Sequence, residues 1–372
     1  MHTWIWQHPD WTAFSWDEAA VQPRLRAVRQ KQGELLGRAG VLDEGSQPEQ
    51  ELDTLLANIV SSSSIENETL NVASVRSSLA RRLGVAESGY PVTARSEGLA
   101  RLMVDAIRHR SEPLSRARLC QWHAWLFPEP DALLPRIRVG ALRGEAPMQV
   151  VSGRLDRPTV HFEAPPRDLL PALLDAFVEW FNGSARDATL DPLLRAAIVH
   201  FWFVTLHPFD DGNGRLTRAL TDMALAQADE RSIRLYAMSV AILERRPGYY
   251  RVLEQSQRGT PDITAWVVWF LDTLEASVDA SIEKMDRTLG KARFWQRFGD
   301  AGLSAAQVKV LNRLLDGGTK GFENGINASQ YQKVARVSKA TATRHLSDLV
   351  ARGCLVKLPG GGRSTRYAVA LR

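Results

Sequence analysis

The sequence predicts a mainly α chain with one small β-hairpin in its body. A C-terminal unit of three helices and a glycine-tipped hairpin follows, which is the winged-helix pattern. Three observations carry this. Apolar residues recur at three- and four-residue spacing through most of the first 290 positions. Alternation typical of strands is confined to two short pairs of segments. The charge is unevenly spread: the chain carries a net +5, yet Asp300 to Arg372 hold 12 basic and 4 acidic residues against 35 and 38 elsewhere. A tail with a net excess of +8 on a body near −3 predicts a separate module with an anionic partner.

The elements follow in order. Residues 1 to 45 hold Trp4, Trp6, Trp11 and Trp16 and read as a small cap whose aromatics pack on a neighbouring domain. Gly40 to Pro48 reads as a loop. Leu52, Leu55, Leu56, Ile59 and Val60 mark a helix, and further helices are expected over Val72–Leu83, Ser96–Arg110 and Ser115–Leu126. Met148–Gly153 and Thr159–Phe162 alternate as two strands joined by a turn, and Pro165-Pro166 stops them. Helices then resume over Pro171–Phe181 and Asp191–Leu206, from Asn213 past Ala226, and from Trp266 toward Lys291. In the tail, Ser304–Leu315, Ala328–Arg336 and Ser338–Arg352 read as helices, the first and third capped by their serines. Cys354–Leu358 and Tyr367–Leu371 read as strands around a Pro-Gly-Gly-Gly tip.

Composition excludes several classes. With 44% hydrophobic and 24% charged residues the chain buries a real core and is not disordered. Two cysteines cannot supply a disulfide framework or a cysteine zinc site, and they fit a reducing compartment. The start, Met-His-Thr-Trp, lacks the basic-then-apolar pattern of a signal peptide, and Ala196–Leu206 is too short to span a bilayer. A cytoplasmic protein with no membrane partner is the expectation.

One stretch concentrates chemistry: His207-Pro-Phe-Asp-Asp-Gly-Asn-Gly-Arg-Leu-Thr-Arg218, between two helical segments. Gly212 and Gly214 leave successive backbone N–H groups free to curl into an anion nest, where the dipole of the following helix adds positive charge. Arg215 and Arg218 are three apart, on one helix face, and two guanidinium forks beside a nest suit a polyphosphate. Asp211 is a carboxylate placed to hold a magnesium ion bridging phosphate oxygens. His207 is the nearby group that titrates near neutrality and is a candidate general base. Each feature alone is ordinary; their coincidence within twelve residues is not. His200 and His207, seven apart with no third ligand, make a poor metal pair.

The same stretch resembles the signature of the Fic family, His-Pro-Phe-x-Asp/Glu-Gly-Asn-Gly-Arg-x-x-Arg, at every defined position. The resemblance implies a Fic-type helical core, with residues 148–162 as its flap hairpin, and a winged-helix tail of a kind common in bacterial members. It implies transfer of AMP from ATP to a Ser, Thr or Tyr hydroxyl of a target protein and of the chain itself, with Mg²⁺. His207 would be the base and Asp211 the magnesium ligand. The backbone of Gly212, Asn213 and Gly214 would cradle the α- and β-phosphates, Arg215 would take the β- and Arg218 the γ-phosphate. Phe209 would anchor the loop. Tyr250 and Gln257 would line the adenine site, where relatives often carry Asn at the second position. The target would add as a strand to the flap. Ser62-Ser-Ser-Ile-Glu66-Asn67 resembles the family's inhibitory motif Ser/Thr-x-x-x-Glu-Gly/Asn, which implies a Glu66 carboxylate on Arg218 that misplaces ATP.

The implied division is an N-terminal cap (1–45), an inhibitory-helix region (46–110), a catalytic core (111–298) and a winged helix (299–372). Removal of AMP at the same site, and a DNA-binding regulator with a nucleotide-sensing site, are the competing functions. DNA would meet residues 328–372 through Lys339, Arg344, His345 and Arg352 of the third helix and Lys357, Arg363 and Arg366 of the wing; a protein-interaction or homodimer role for that module competes.

Overall fold

The computed structural model describes residues 3–40, 47–86, 89–128, 137–154, 157–228, 235–317, 322, 324–360 and 365–370. Most of the expected Gly40–Pro48 loop, and Arg363, lie outside the described residues. The chain divides into two compact units, residues 1–281 and 282–372. Among the described residues it is mainly helical with two small sheets.

The core of the first unit is a helix pair, α7 (Pro192–Leu206) and α8 (Asn213–Ala228). Proline at the first position and an Asp191 side chain accepting from Leu193 N–H start α7. Every residue from Leu193 to Leu206 is buried, so this helix is covered on all sides, as its near-continuous apolar sequence requires. Its Arg195 and His200 side chains find partners inside. Arg195 donates to Ser184, Gln227 and the Phe181 carbonyl and lies over the Phe181 ring. His200 bridges Thr221 and Tyr249 at 2.9 Å each. His200 is therefore a core residue, and no group of metal-ligating side chains exists among the described residues.

Around the pair lie α2 (Gln47–Ile65), α3 (Val72–Leu83), α4 (Ala94–Arg108), α5 (Arg116–Leu126) and α6 (Leu170–Ser184). The expected starts at Ser96 and Ser115 shift for one reason, the cap. Thr93 caps α4 with Ser96 as its reciprocal partner two residues into the helix, and Ser115 itself is the cap of α5. The capping signals of α3 are Asn71 and a left-handed Gly84. Residues 1 to 45 are more than a tryptophan cap: α1 (Glu18–Ala39) buries Val21, Leu25, Val28 and Leu35. Trp4 stands edge-on to Phe162 at 5.5 Å, Trp6 donates to the Glu163 carbonyl, and Trp11 meets Trp202 at 6.0 Å.

The hairpin pairs β1 (Gln149–Arg154) with β2 (Arg157–Glu163), antiparallel, with a register slip between Val150 and Val151. Helices α9 (Met238–Glu244) and α10 (Arg246–Gln257) follow, then α11 (Thr264–Phe298).

The second unit has α12 (Ala305–Asp316), α13 (Ala328–Ala335) and α14 (Lys339–Ala351), then the antiparallel pair β3 (Leu355–Lys357) and β4 (Tyr367–Val369). Ser304, Asn327 and Ser338 side chains cap the three helices. Val310, Leu311, Tyr331, Leu346, Leu349 and Leu355 form its core. Three of the basic residues expected to face an anion serve inside the unit: His345 meets the Tyr331 hydroxyl, Arg352 pairs with Asp348, and Arg366 donates to the Gly325 carbonyl at 2.8 Å. Lys339, Arg344 and Lys357 remain exposed. No helix among the described residues is long and apolar enough to cross a membrane.

Candidate active site

Helix α7 ends because His207 turns left-handed (φ 47°, ψ 57°), a costly conformation for a residue with a Cβ. The surroundings over-determine it. Arg143, 1% exposed, donates through Nε to the His207 carbonyl at 2.9 Å and through its terminal nitrogen to the Pro165 carbonyl. Its backbone N–H reaches the Pro208 carbonyl at 3.0 Å. The Asn213 side chain closes the loop from the other end, accepting from Phe209 N–H at 3.0 Å and donating to Phe209 O at 2.8 Å. Asp210 accepts from the N–H groups of Arg138 and Gly144.

Phe209 is fully buried and stacks on His123 at 4.3 Å, as the anchor role expected of it requires. His123 has a fixed tautomer. Its Nδ1 accepts from Gly140 N–H at 2.9 Å, so Nε2 carries the proton and donates to the Asp211 carbonyl at 3.2 Å. Burial pushes its pKa down to about 4, against a smaller upward pull from the Asp211 hydrogen bond. Gly212 sits at φ +79°, and a Cβ there would lie 3.0 Å from the Phe127 ring; glycine is required twice over.

The loop forms one wall of a cleft of about 850 Å³. Of the residues singled out from the sequence, His207, Asp211, Gly212, Asn213, Gly214, Tyr250, Gln257, Glu66 and Asn67 line it. Met148 to Ser152 form the opposing rim. His207 Nδ1 lies 3.3 Å from the Val204 carbonyl. A carbonyl can only accept, so Nδ1 holds the proton and Nε2 presents a lone pair. Burial lowers the His207 pKa and the Arg143 charge adds to the lowering, against the Val204 contact and the Glu66 and Asp211 charges, so the net shift favours the neutral ring. Asp211 is about half exposed (55%), open to an ion and its waters. Gln257 donates to Thr205 Oγ1 at 3.1 Å, and the Tyr250 hydroxyl donates to the Ile65 carbonyl at 3.2 Å.

Arg215, Arg218 and Ser62 do not line the cleft, because the segment after α2 covers the arginines. The covering turn has a backbone cause. Asn67 is left-handed (φ 61°), Glu68 N–H bonds Ser63 O at 2.9 Å, and Asn67 N–H bonds Ser64 O at 3.1 Å: a Schellman turn. Asparagine or glycine suits that position, which accounts physically for the residue after the motif glutamate. The turn aims Glu66 at α8. Arg218 donates to Glu66 at 2.7 Å, to Ser62 Oγ at 2.8 Å and to Ser62 O at 2.9 Å. The Glu66 carboxylate fills the space above Gly214, where a Cβ would lie 2.1 Å from its oxygen. Desolvation pushes the Glu66 pKa up, but the charge and hydrogen bond of Arg218, with Arg215 and His207, hold it below the usual carboxylate range.

Several site residues were invisible in the sequence. Arg143, His123 and Asp210 hold the loop, and Glu68 bonds Arg215 at 2.7 Å. On the hairpin, His161 accepts from Ser152 (2.6 Å) and donates to Glu254 of α10 (2.9 Å), while Arg258 donates to the Val160 carbonyl. These contacts tie β2 to α10. Among the described residues β1 pairs only with β2, and Val150 and Val151 are exposed.

Residues 113–225 match the Fic/DOC family, and residues 4–85 match a domain of unknown function, DUF4172. Protein adenylyltransferase Fic of Drosophila melanogaster is 34% identical over 119 residues, 32% of this chain and 22% of that protein. Protein adenylyltransferase fic-1 of Caenorhabditis briggsae is 32% identical over 149 residues, 40% of this chain and 27% of that protein. The chain thus spans about a quarter of the length of the curated relatives it matches. Among solved structures, a Fic family protein from Desulfovibrio desulfuricans covers 94% of this chain and 95% of its own, at 21% identity and a TM-score of 0.52. A Fic domain containing signaling protein from Bacteroides thetaiotaomicron covers 70% and 95%, at 19% identity and a TM-score of 0.52. Motif, loop geometry and matched segment coincide over residues 113–225, which match the Fic/DOC family, and the fold is similar to that of a solved Fic family protein.

Proposed function

We propose that the cleft transfers the AMP moiety of ATP to a Ser, Thr or Tyr hydroxyl of a protein, and of the chain itself, and that Glu66 restrains the reaction. The observation that carries this is the placing of His207, whose Nδ1 faces the Val204 carbonyl and leaves Nε2 to accept a proton, in the same cleft as the start of α8. Nε2 takes the proton of the incoming hydroxyl, whose oxygen attacks the α-phosphorus. The bond to the bridging oxygen breaks and pyrophosphate leaves. The first-turn N–H groups of α8 have no intrahelical acceptors and face the phosphates, with Arg215 and Arg218 behind them.

Asp211, a single open carboxylate, fits a magnesium ion that takes its other oxygens from phosphate and water. The ion would neutralise phosphate charge. Tyr250 and Gln257 border the space for the adenine. The target lies along the unpaired edge of β1, where main-chain bonds hold an extended segment and read little of its side chains. With Glu66 on Arg218 the γ-phosphate loses its guanidinium, and ATP binds with its α-phosphate misaligned. The adenylyltransferase activity named for the matched relatives supports the reaction class.

Incubation with α- and γ-labelled ATP tests this. The α label should enter protein and the γ label should not. His207→Ala should cut the α signal by ~10²–10⁴-fold. Entry of the γ label would mean phosphate transfer instead and would overturn the assignment.

A further inference from the structure

The segment that covers Arg218 carries a second carboxylate, and it is bound as deliberately as the first. Glu68 divides its two oxygens between two guanidinium groups. Oε2 takes Arg215 at 2.7 Å. Oε1 takes Arg95, at 2.8 Å from Nε and 2.7 Å from a terminal nitrogen. Both guanidiniums lie 5.3 Å from the face of the same ring, Phe127. Arg95 belongs to the first turn of α4, where the helix dipole disfavours a cation. Burial and the facing Arg215 charge also weaken its hold on its proton, and Glu68 compensates. Arg215 is 7% exposed and is paired with Glu68 and the more distant Asp211 (3.5 Å), with the Glu66 carboxylate also in its field.

The same Schellman turn places both carboxylates. Asn67 in the left-handed region turns the chain so that Glu66 meets Arg218 and Glu68 meets Arg215. The two arginines of the phosphate site are therefore each occupied by one acidic residue of one turn.

We propose that Glu68 withholds Arg215 from the nucleotide as Glu66 withholds Arg218, and that Arg95 is the partner to which Glu68 retires when phosphate displaces it. This deepens the functional reading above and rests on it for the identity of the ligand. Losing Arg215 would leave a half-buried carboxylate unpaired, which is costly. With Oε1 already on Arg95, only one oxygen returns to water. Arg95 thus lowers the barrier to opening rather than binding nucleotide itself.

Calorimetric titration of the full chain with ADP and magnesium tests the proposal, since ADP has no γ-phosphate to compete with Glu66. Glu68→Gln should tighten ADP binding at least fivefold. Arg95→Met should weaken it in the wild-type background and weaken it less beside Glu68→Gln. ADP affinity of Glu68→Gln within twofold of wild type overturns the proposal, whatever the effect of Glu66→Gly on labelling. Tighter ADP binding by Glu68→Gln with no AMP transfer by any variant would uphold the latch and sink the transferase reading. No ADP binding by any variant would overturn both.

Discussion

The loop 207–214 and the turn 62–68 lie against each other, yet they are held by opposite means. The loop is fixed by hydrogen bonds to main-chain groups: Asn213 on Phe209, His123 on Asp211, Arg143 on His207, and Asp210 on the N–H groups of Arg138 and Gly144. The turn is fixed by carboxylates on guanidinium groups, with Glu66 32% and Glu68 25% exposed. Ion pairs of that kind yield to a competing anion, and phosphate is one. Buried neutral bonds do not yield that way. The opening proposed above would act on the turn and leave the loop in place.

Breaking the rigid side should cost most. Arg143→Met leaves the carbonyls of His207 and Pro165 without their charged donor. A loss of about 3–5 kcal/mol is expected from two charge-assisted bonds. Chemical denaturation would measure it, and transfer activity should fall with it. An Arg143→Met protein of wild-type stability and activity would show that the left-handed His207 needs no such support.

The next effect is a pH dependence. His123 titrates at about 4 when folded and near 6.5 when unfolded. Between those values the unfolded chain binds the extra proton, so stability falls as pH drops through that window and is flat above 6.5. The single group contributes at most about 3 kcal/mol. His200 and His207 shift in the same direction. Unfolding titrations from pH 8 to 4 should show this slope, and His123→Asn should flatten it. The acid limb of transfer activity should also lie below the ordinary imidazole range, because His207 stays neutral longer.

Sequence and structure agree where chemistry is contiguous. The residues from His207 to Arg218 stand out in the sequence because a histidine, a carboxylate, glycines and two arginines fall in one turn and its helix. Glu66 was legible through the spacing Ser62–Glu66–Asn67. The scaffold was not. Arg143 meets His207 across 64 positions and Glu68 meets Arg215 across 147, and an isolated arginine or glutamate reads as a solvated side chain. His123 was lost inside an apolar helix pattern. Helix α1 was hidden behind tryptophans that drew the reading toward packing, although Val21, Leu25 and Val28 carry its period. In the tail the order of elements was legible from capping serines, while His345 and Arg352 took internal partners that no charge count distinguishes.

The smallest expected effect bears most directly on the account. Removing Glu66 should free Arg218 without touching the loop. Initial rates of α-label incorporation should be compared for wild type, Glu66→Gly and Glu66→Gly with His207→Ala, at saturating ATP and magnesium. Glu66→Gly should raise the rate at least tenfold, equivalent to about 1.4 kcal/mol of barrier, and His207→Ala should abolish the gain. Equal rates for wild type and Glu66→Gly would contradict restraint by Glu66.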